Sequence, residues 1–214
     1  MKKIMFDNKY GLEQAVLAGT KTMTRRVIKK LTGVHENGVK DADIVQLSEW
    51  GIGDDGRAMI TATLPFEEFD IYPTYQPGEV VAVAERYHDI WMQSPKLINL
   101  IFFDKYVNEI GWKNKMYVRA DIMPYRICIT NVRFERLQDI SDDDCLREGI
   151  FHKSIKVDIL DRKLSNAGYT FKGTGLIYRT PRAAFAALID KISGKGTWGK
   201  NPWVFVYEFE LVKV

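Results

Sequence analysis

Hydrophobic and polar positions alternate over short stretches, which predicts short strands and short helices rather than long regular elements. Apolar residues at helical spacing occur in three places, each bounded by a capping residue and a glycine. Strand patterns occur in four places, the second directly after a Pro-Gly turn. The helices begin at Asp7 or Asn8, Ser141 and Thr180 and end at Gly19, Gly149 and Gly194; the strands cover 59–64, 76–85, 125–137 and 203–211.

The strand at 125–137 carries an irregularity. Its apolar positions shift from Ile127 and Ile129 to Val132 and Phe134, so the period of two breaks between the two pairs. An extra residue in one strand restores the facing of the side chains after such a break. The pattern therefore predicts a β-bulge between Ile129 and Val132.

Three other stretches lack a clear period. Residues 30–58 are rich in glycine, aspartate and polar residues and are expected to form a loop-like insertion, and 151–178 are expected to form a second polar insertion. Residues 86–124 give no assignable secondary structure. With no internal repeat and no βαβ rhythm, the chain is predicted to be α+β: a mixed β-barrel with short flanking helices and long insertions, in one domain spanning 1–214.

Composition restricts the function classes only mildly. The chain has 31 basic and 28 acidic residues, and a formal charge of +3 does not by itself indicate a nucleic-acid-binding protein. Cys128 and Cys145 lack the spacing of a disulfide framework or a zinc site and are expected to be reduced thiols. The start MKKIMF is soon interrupted by polar residues, so we expect no signal peptide, no membrane span and a cytoplasmic protein.

Several familiar active-site motifs do not occur. The sequence contains no Walker loop, GxGxxG, HExxH or GxSxG pattern, and its three histidines lie far apart. Asp142, Asp143 and Asp144 are adjacent in a first helical turn, where they favour the positive helix end and cannot all face one ion. We therefore expect no metal and no cofactor.

The segment AGTKTMTRR at 18–26 is the main candidate for chemistry. In a bent segment Lys21 and Thr24 can converge, and a desolvated lysine can accept the proton of a threonine nucleophile. An alternative is a solvated basic rim in which the threonines only favour extended backbone. A third possibility is a phosphate clamp that uses the same cations, with Trp198 stacking on a base.

Glu148 is a second candidate, because it lies in the last turn of the helix that begins at Ser141. The helix macrodipole disfavours a negative charge there. Residues that break a local rule occur at functional sites, although they also occur by chance.

The chain resembles the ASCH domain family, whose fold is a PUA-like barrel. GTKTMTRR is similar to the family's GxKxxTxR signature, and QPGEVVAVAERY, RICITNVRFERLQDISDDDCLREGI, PRAAFAALIDKI and NPWVFVYEFE resemble successive blocks of larger members common in phage and prophage genomes. The weakly matched insertions are 30–70, 86–111 and 151–178.

The resemblance implies a cleft that binds RNA or nucleotides. In some small members the cleft is an amidohydrolase for N4-acetylcytidine, and their catalytic lysine, threonine and glutamate match Lys21, Thr24 and Glu148. By analogy Thr24 attacks the acyl carbonyl, Lys21 accepts its proton and Glu148 assists. Arg25 and Arg26 are expected to bind an anion or the oxyanion, and Arg26 matches the signature directly.

Three functions follow from these observations. The first is hydrolysis of the amide of an N4-acylated cytidine, and the second is RNA or nucleotide binding without chemistry. A phage accessory interaction protein is the third. The small hydrolases lack these long insertions. Insertions preserve a fold better than they preserve an activity, so the resemblance predicts the fold more firmly than the reaction.

Overall fold

The structure, a computed structural model, describes residues 1–28, 46–47, 51–63, 68–93, 96–159 and 162–212. The strands in chain order are β1 (Lys3–Ile4), β2 (Met23–Val27), β3 (Gln46–Leu47), β4 (Gly51–Ile52), β5 (Ala58–Thr63), β6 (Glu68–Ile71), β7 (Val80–Val83), β8 (Arg126–Arg136), β9 (Phe151–Ile159), β10 (Arg162–Thr170) and β11 (Trp203–Val212). The α-helices are α1 (Leu12–Leu17), α2 (Tyr87–Gln93), α3 (Lys96–Tyr106), α4 (Asp142–Arg147), α5 (Pro181–Ile192) and α6 (Thr197–Lys200).

The main sheet contains five strands in the order β1-β7-β8-β11-β2. Only β1 and β7 pair in parallel; the other neighbours are antiparallel. The α+β class is thus confirmed, but the described residues form no closed barrel, and the predicted barrel is not confirmed. The two edges of the sheet nevertheless approach each other, because Arg26 on β2 donates from Nη2 to the Met5 carbonyl oxygen just after β1 at 2.6 Å.

The β-bulge predicted in β8 is confirmed. On β11, Glu208 pairs with Asn131 while the next residue, Phe209, pairs with Ile129, so Thr130 is the extra residue. The bulge lets β8 keep Ile129 and Val132 buried on the two sides of the irregularity.

Helix ends follow the sequence signals at α4 and α5. The Ser141 hydroxyl accepts a hydrogen bond from Asp144 N–H, and the Thr180 hydroxyl accepts one from Ala183 N–H. The predicted cap of α1 is wrong: this helix begins after Gly11, with no side-chain cap, because residues 7–11 first form a turn closed by main-chain bonds.

Three stretches without a sequence period contain regular structure. Residues 86–124 form α2, α3 and three 3-10 turns, whose aromatic side chains pack into a second hydrophobic cluster. The expected polar insertion at 151–178 contains the β9–β10 hairpin, and β3 and β4 lie within the expected loop at 30–58 and pair with β5. Most of 30–58 lies outside the described residues.

The main core lies between the five-stranded sheet and α5. Strand β11 lies between β8 and β2 and is buried on both faces, since Val204 and Val206 on one face and Phe205 and Tyr207 on the other are all buried. The start of β2 and the end of α4 lie side by side, joined by a hydrogen bond from Lys21 Nζ to the Glu148 carbonyl oxygen. This contact positions the candidate site. No helix in the described parts of the chain is long and apolar enough to cross a membrane.

Candidate active site

A cavity of about 1330 Å³ lies where the two edges of the main sheet approach each other. Its volume exceeds the usual range for small-molecule pockets, so a nucleoside has ample room. Lys21, Thr24 and Glu148 all line it, although they come from different elements. The aromatic side chains on its wall are Phe6, Tyr72, Tyr75, Phe185, Phe205 and Tyr207.

Lys21 lies between the end of α1 and the start of β2. Gly19 adopts a left-handed conformation (φ 71°), and Lys21 N–H then donates to the Ala15 carbonyl oxygen, which turns the chain back toward the sheet. The Lys21 side chain is 1% exposed. Its ammonium donates to Met23 O at 2.6 Å, to Glu148 O at 2.8 Å and to Glu148 Oε2 at 2.6 Å. These three bonds use all three ammonium donors.

Glu148 follows α4 directly as its C-terminal cap residue, and Gly149 then reverses the chain at φ 104°. The cost of a negative charge at this helix end is offset by two cations. Lys21 binds Oε2, and Arg25 Nη1 donates to Oε1 at 3.2 Å. This carboxylate, a candidate because of its unfavourable position at the helix end, lies against Lys21.

Thr24 lies on β2 and is 6% exposed on the cavity wall. The predicted convergence of Lys21 and Thr24 is seen only in part. Both residues line one cavity, but within the described residues the Lys21 ammonium makes no hydrogen bond with the Thr24 hydroxyl. The threonine side chain instead shares a face of β2 with Arg26, since alternate residues of a strand point the same way.

Arg25 was expected to bind a ligand, but its guanidinium is occupied by protein carboxylates. Nε and Nη2 donate to Glu135 Oε1 at 2.9 and 2.7 Å, and Nη2 also donates to Asp144 Oδ2 at 2.8 Å. Nη1 completes the set with Glu148. Because this side chain is 1% exposed, its geometry suits a residue that positions Glu148 rather than one that contacts a ligand.

Arg26 has a different environment from Arg25. It is exposed, and among the described residues its guanidinium makes one hydrogen bond, to Met5 O. Its Cζ lies 5.9 Å from the centre of the Phe6 ring. Lys21 Nζ lies at the same distance, 5.9 Å, from that ring. Two cations thus lie near the Phe6 ring on the cavity wall. Of the two, Arg26 has the exposed position expected for an arginine that binds an anion.

Trp198 does not lie where the stacking hypothesis requires it. Its ring packs edge-on against Phe185 at a centroid distance of 6.2 Å, and the Arg182 guanidinium lies 5.3 Å from its centre. Its neighbours Thr197 and Lys200 line the cavity, whereas Trp198 contributes to the hydrophobic core. The structure therefore does not bring Trp198 together with the other candidate residues.

The charges on the cavity wall are unequal. Three of its cations are bound to carboxylates: Lys21, Arg25 and Lys115, the last through Glu13. The remaining three, Lys3, Arg26 and Lys200, form no ion pair among the described residues, while the wall contains only Asp7 and Glu148 as acidic side chains. The cavity is thus electropositive beyond what its own carboxylates neutralise.

Burial lowers the pKa of Lys21, and the neighbouring Glu148 carboxylate opposes that effect. A lowered lysine pKa increases the fraction of neutral amine, which is the form that can accept a proton. Because Glu148 is in direct contact, a proton that leaves Lys21 has an acceptor at 2.6 Å. The two groups are thus close enough for direct proton transfer.

The described residues contain no group of three histidine, cysteine, aspartate or glutamate side chains that could hold a metal. Cys128 and Cys145 are free, as predicted, and burial raises the pKa of the Cys145 thiol to about 12. Sequence reasoning missed Phe6, Tyr75 and Glu135. Nothing in their neighbouring sequence marks these residues as part of a site, because contacts between segments distant in sequence place them there.

Comparisons with protein-family models, with curated proteins and with solved structures gave no match to this chain.

Proposed function

We propose that the protein is an amidohydrolase that removes the acyl group from an N4-acylated cytosine nucleoside, on a fold of the PUA-like ASCH type. The observation that carries the proposal is the buried Lys21–Glu148 pair, which shares a cavity with the Thr24 hydroxyl. A nucleophile, a base and an acid in one partly enclosed pocket are what amide hydrolysis by acyl transfer requires.

In the first step, a proton moves from Lys21 Nζ to Glu148 Oε2, which leaves an amine and a carboxylic acid. Thr24 Oγ1 then attacks the acyl carbonyl carbon while its proton passes to Lys21. The Glu148 acid protonates N4 as the C–N bond breaks, so cytidine leaves and an acyl ester remains on Thr24. Water attacks the ester, and the carboxylic acid product and free Thr24 are released.

This mechanism requires a rotation of the Lys21 ammonium, because its three donors point to Met23 and Glu148 in the structure. Loss of the proton to Glu148 frees a lone pair on Nζ and weakens the bonds that hold it. Arg26 is the cation best placed to stabilise the oxyanion, since it shares a strand face with Thr24 and makes no ion pair among described residues.

The test is cytidine release from N4-acetylcytidine by purified protein, followed by chromatography. Wild type is expected to release cytidine, whereas Thr24→Val, which keeps the branched shape without the hydroxyl, should lose at least about a hundredfold in rate. Lys21→Met should lose a comparable factor, and Thr24→Ser should retain measurable activity. Absence of release by wild type at high enzyme concentration rules out hydrolysis of this substrate.

A second candidate function is the binding of RNA or nucleotides without chemistry. Lys3, Arg26 and Lys200 favour it, because three cations without carboxylate partners suit a phosphate-bearing ligand. Binding of a short cytidine-containing RNA should then weaken steeply between 50 and 200 mM salt, by at least about tenfold, while no acyl group is released. A salt-independent affinity contradicts this function.

A further inference from the structure

The edge of β2 that faces away from β11 carries main-chain groups that pair with no other strand among the described residues. In an antiparallel pair, every second residue directs both its N–H and its C=O toward the neighbouring strand. Ile28 N–H donates to Trp203 O, and Phe209 N–H donates to Thr22 O, so the even-numbered residues of this segment face β11. Met23, Arg25 and Val27 therefore direct their main-chain groups outward.

The outward groups lead directly into the candidate active site. Met23 O, the first of them, accepts the hydrogen bond from Lys21 Nζ. Arg25 and Val27 come next along the strand, and both line the cavity. No hydrogen bond to their N–H or C=O groups occurs across this edge in the described residues, and no described strand pairs there.

At Arg25 the main chain faces the cavity and the side chain does not. The whole residue is 5% exposed, whereas its side chain is 1% exposed and bound to three carboxylates. The exposed surface must therefore belong mainly to main-chain atoms. Because its side chain is fixed by these three ion pairs, the Arg25 peptide group is held rigidly at the cavity wall.

We infer that this edge of β2 recognises the Watson–Crick edge of the pyrimidine base. The Arg25 carbonyl accepts a hydrogen bond from N4–H, and the Val27 N–H donates to the ring carbonyl O2. Base edges in single-stranded ligands are read in this way by fixed polar groups. Since Arg25 is nearer than Val27 to Met23, this orientation places N4 toward Lys21 and Glu148, where the scissile bond must lie. The inference rests on the proposed function and specifies its ligand contacts.

A proline at position 27 tests the inference, because proline removes the outward N–H and leaves the β11 ladder intact. Position 27 is on an edge strand, where proline is tolerated, and the preceding residue is already extended. Val27→Ala is the matched control, since it shortens the side chain as proline does but keeps the N–H. Affinity for cytidine is measured by titration calorimetry, and thermal unfolding establishes that both variants are folded.

Val27→Pro is expected to weaken cytidine binding about tenfold, while Val27→Ala stays within about twofold of wild type. Equal affinities of the two variants overturn the inference. A second measurement needs no variant: 2-thiocytidine, whose sulfur accepts hydrogen bonds weakly, should bind wild type about tenfold less tightly than cytidine. Equal binding of the two nucleosides also overturns it.

The proposed function and this inference fail in distinguishable ways. If wild type hydrolyses N4-acetylcytidine but Val27→Pro and 2-thiocytidine show no loss of affinity, only the inference is wrong. If wild type neither hydrolyses N4-acetylcytidine nor binds cytidine, both are wrong. Tenfold losses in both binding measurements, together with hydrolysis by wild type, support both.

Discussion

Lys21 and Glu148 form an ion pair of 2.6 Å whose side chains are only 1% and 5% exposed. Removing two charges from water costs several kcal/mol per ion, so a buried pair is weak evidence for stability. Here the cost is offset in part by the carbonyl oxygens of Met23 and Glu148 and by Arg25. The stability of the fold therefore does not require this pair, and its position on the cavity wall is the basis of the proposed function.

The first prediction concerns the energetic coupling of this pair. Lys21→Met and Glu148→Leu should each lower the free energy of unfolding by about 3 kcal/mol, because each leaves a buried charge without its partner at 2.6 Å. The double variant should lose clearly less than the sum of the two losses, since it leaves neither partner of the pair behind. Urea unfolding of all four proteins measures the coupling.

A surface pair provides the control for this cycle. Lys2 and Glu79 are 3.0 Å apart, but their side chains are 51% and 23% exposed. Their coupling should stay below about 1 kcal/mol because solvent screens exposed pairs. Equal couplings for the buried and the exposed pair contradict the prediction.

The second prediction concerns Glu85, whose side chain lies outside the candidate site. The residue is 0% exposed, and among the described residues its Oε2 has no hydrogen-bond partner and its Oε1 accepts only from Gln93 Nε2, at 3.3 Å. Burial, reinforced by the nearby Glu13, raises the pKa of Glu85 to about 7. Since the ordinary value is 4.5, the folded protein binds this proton more tightly than the unfolded chain does.

Stability should therefore be greatest below pH 4.5 as far as this group is concerned, and should fall as the pH rises through about 7. Glu85→Gln removes the titration, so its stability relative to wild type should increase by roughly 2–3 kcal/mol between pH 5 and pH 8. Urea unfolding at four pH values measures this difference. A Glu85→Gln effect that is the same at pH 5 and pH 8 refutes it.

Local signals predicted the ends of the elements well. The caps at Ser141 and Thr180 and the bulge near Thr130 depend on neighbours within a few residues, so the sequence contains the whole cause. The start of α1 was wrong because main-chain bonds in a turn replaced the expected side-chain cap at Asp7 or Asn8.

The candidate site was only partly predictable. Glu148 was detectable because it breaks a helix-end rule, but the partners of Arg25 lie 110 and 119 positions away, at Glu135 and Asp144. The pairing of β8, β11 and β2 brings Glu135 close to Arg25, and Arg133 on β8 holds Asp144 of α4 beside them through a hydrogen bond of 2.6 Å. The packing of Trp198 was not predictable either, because a tryptophan in a stretch expected to be a loop gives no local sign of which side it packs against.

The third prediction separates the two neighbouring arginines. Arg25→Lys keeps the charge but loses the planar fork that binds three carboxylates, and should lower the free energy of unfolding by about 2–3 kcal/mol. Arg26→Lys is the matched control, because this side chain is exposed and makes no ion pair among described residues; its cost should be within about 0.5 kcal/mol. Denaturant unfolding measures both. Similar costs at the two positions contradict the assignment of Arg25 to a structural network.

The fourth prediction concerns Trp198, which packs against Phe185 on the cavity wall but does not itself line the cavity. Trp198→Phe should lower the free energy of unfolding by about 1–2 kcal/mol through lost packing, while affinity for cytidine stays within about twofold of wild type. Phe6→Leu removes a ring from the cavity wall, between Lys21 and Arg26, and should weaken the same binding about tenfold because it removes a stacking surface. Calorimetric titration of folded variants compares the two. If Trp198→Phe weakens binding as much as Phe6→Leu does, Trp198 contacts the ligand and its placement in the core is wrong.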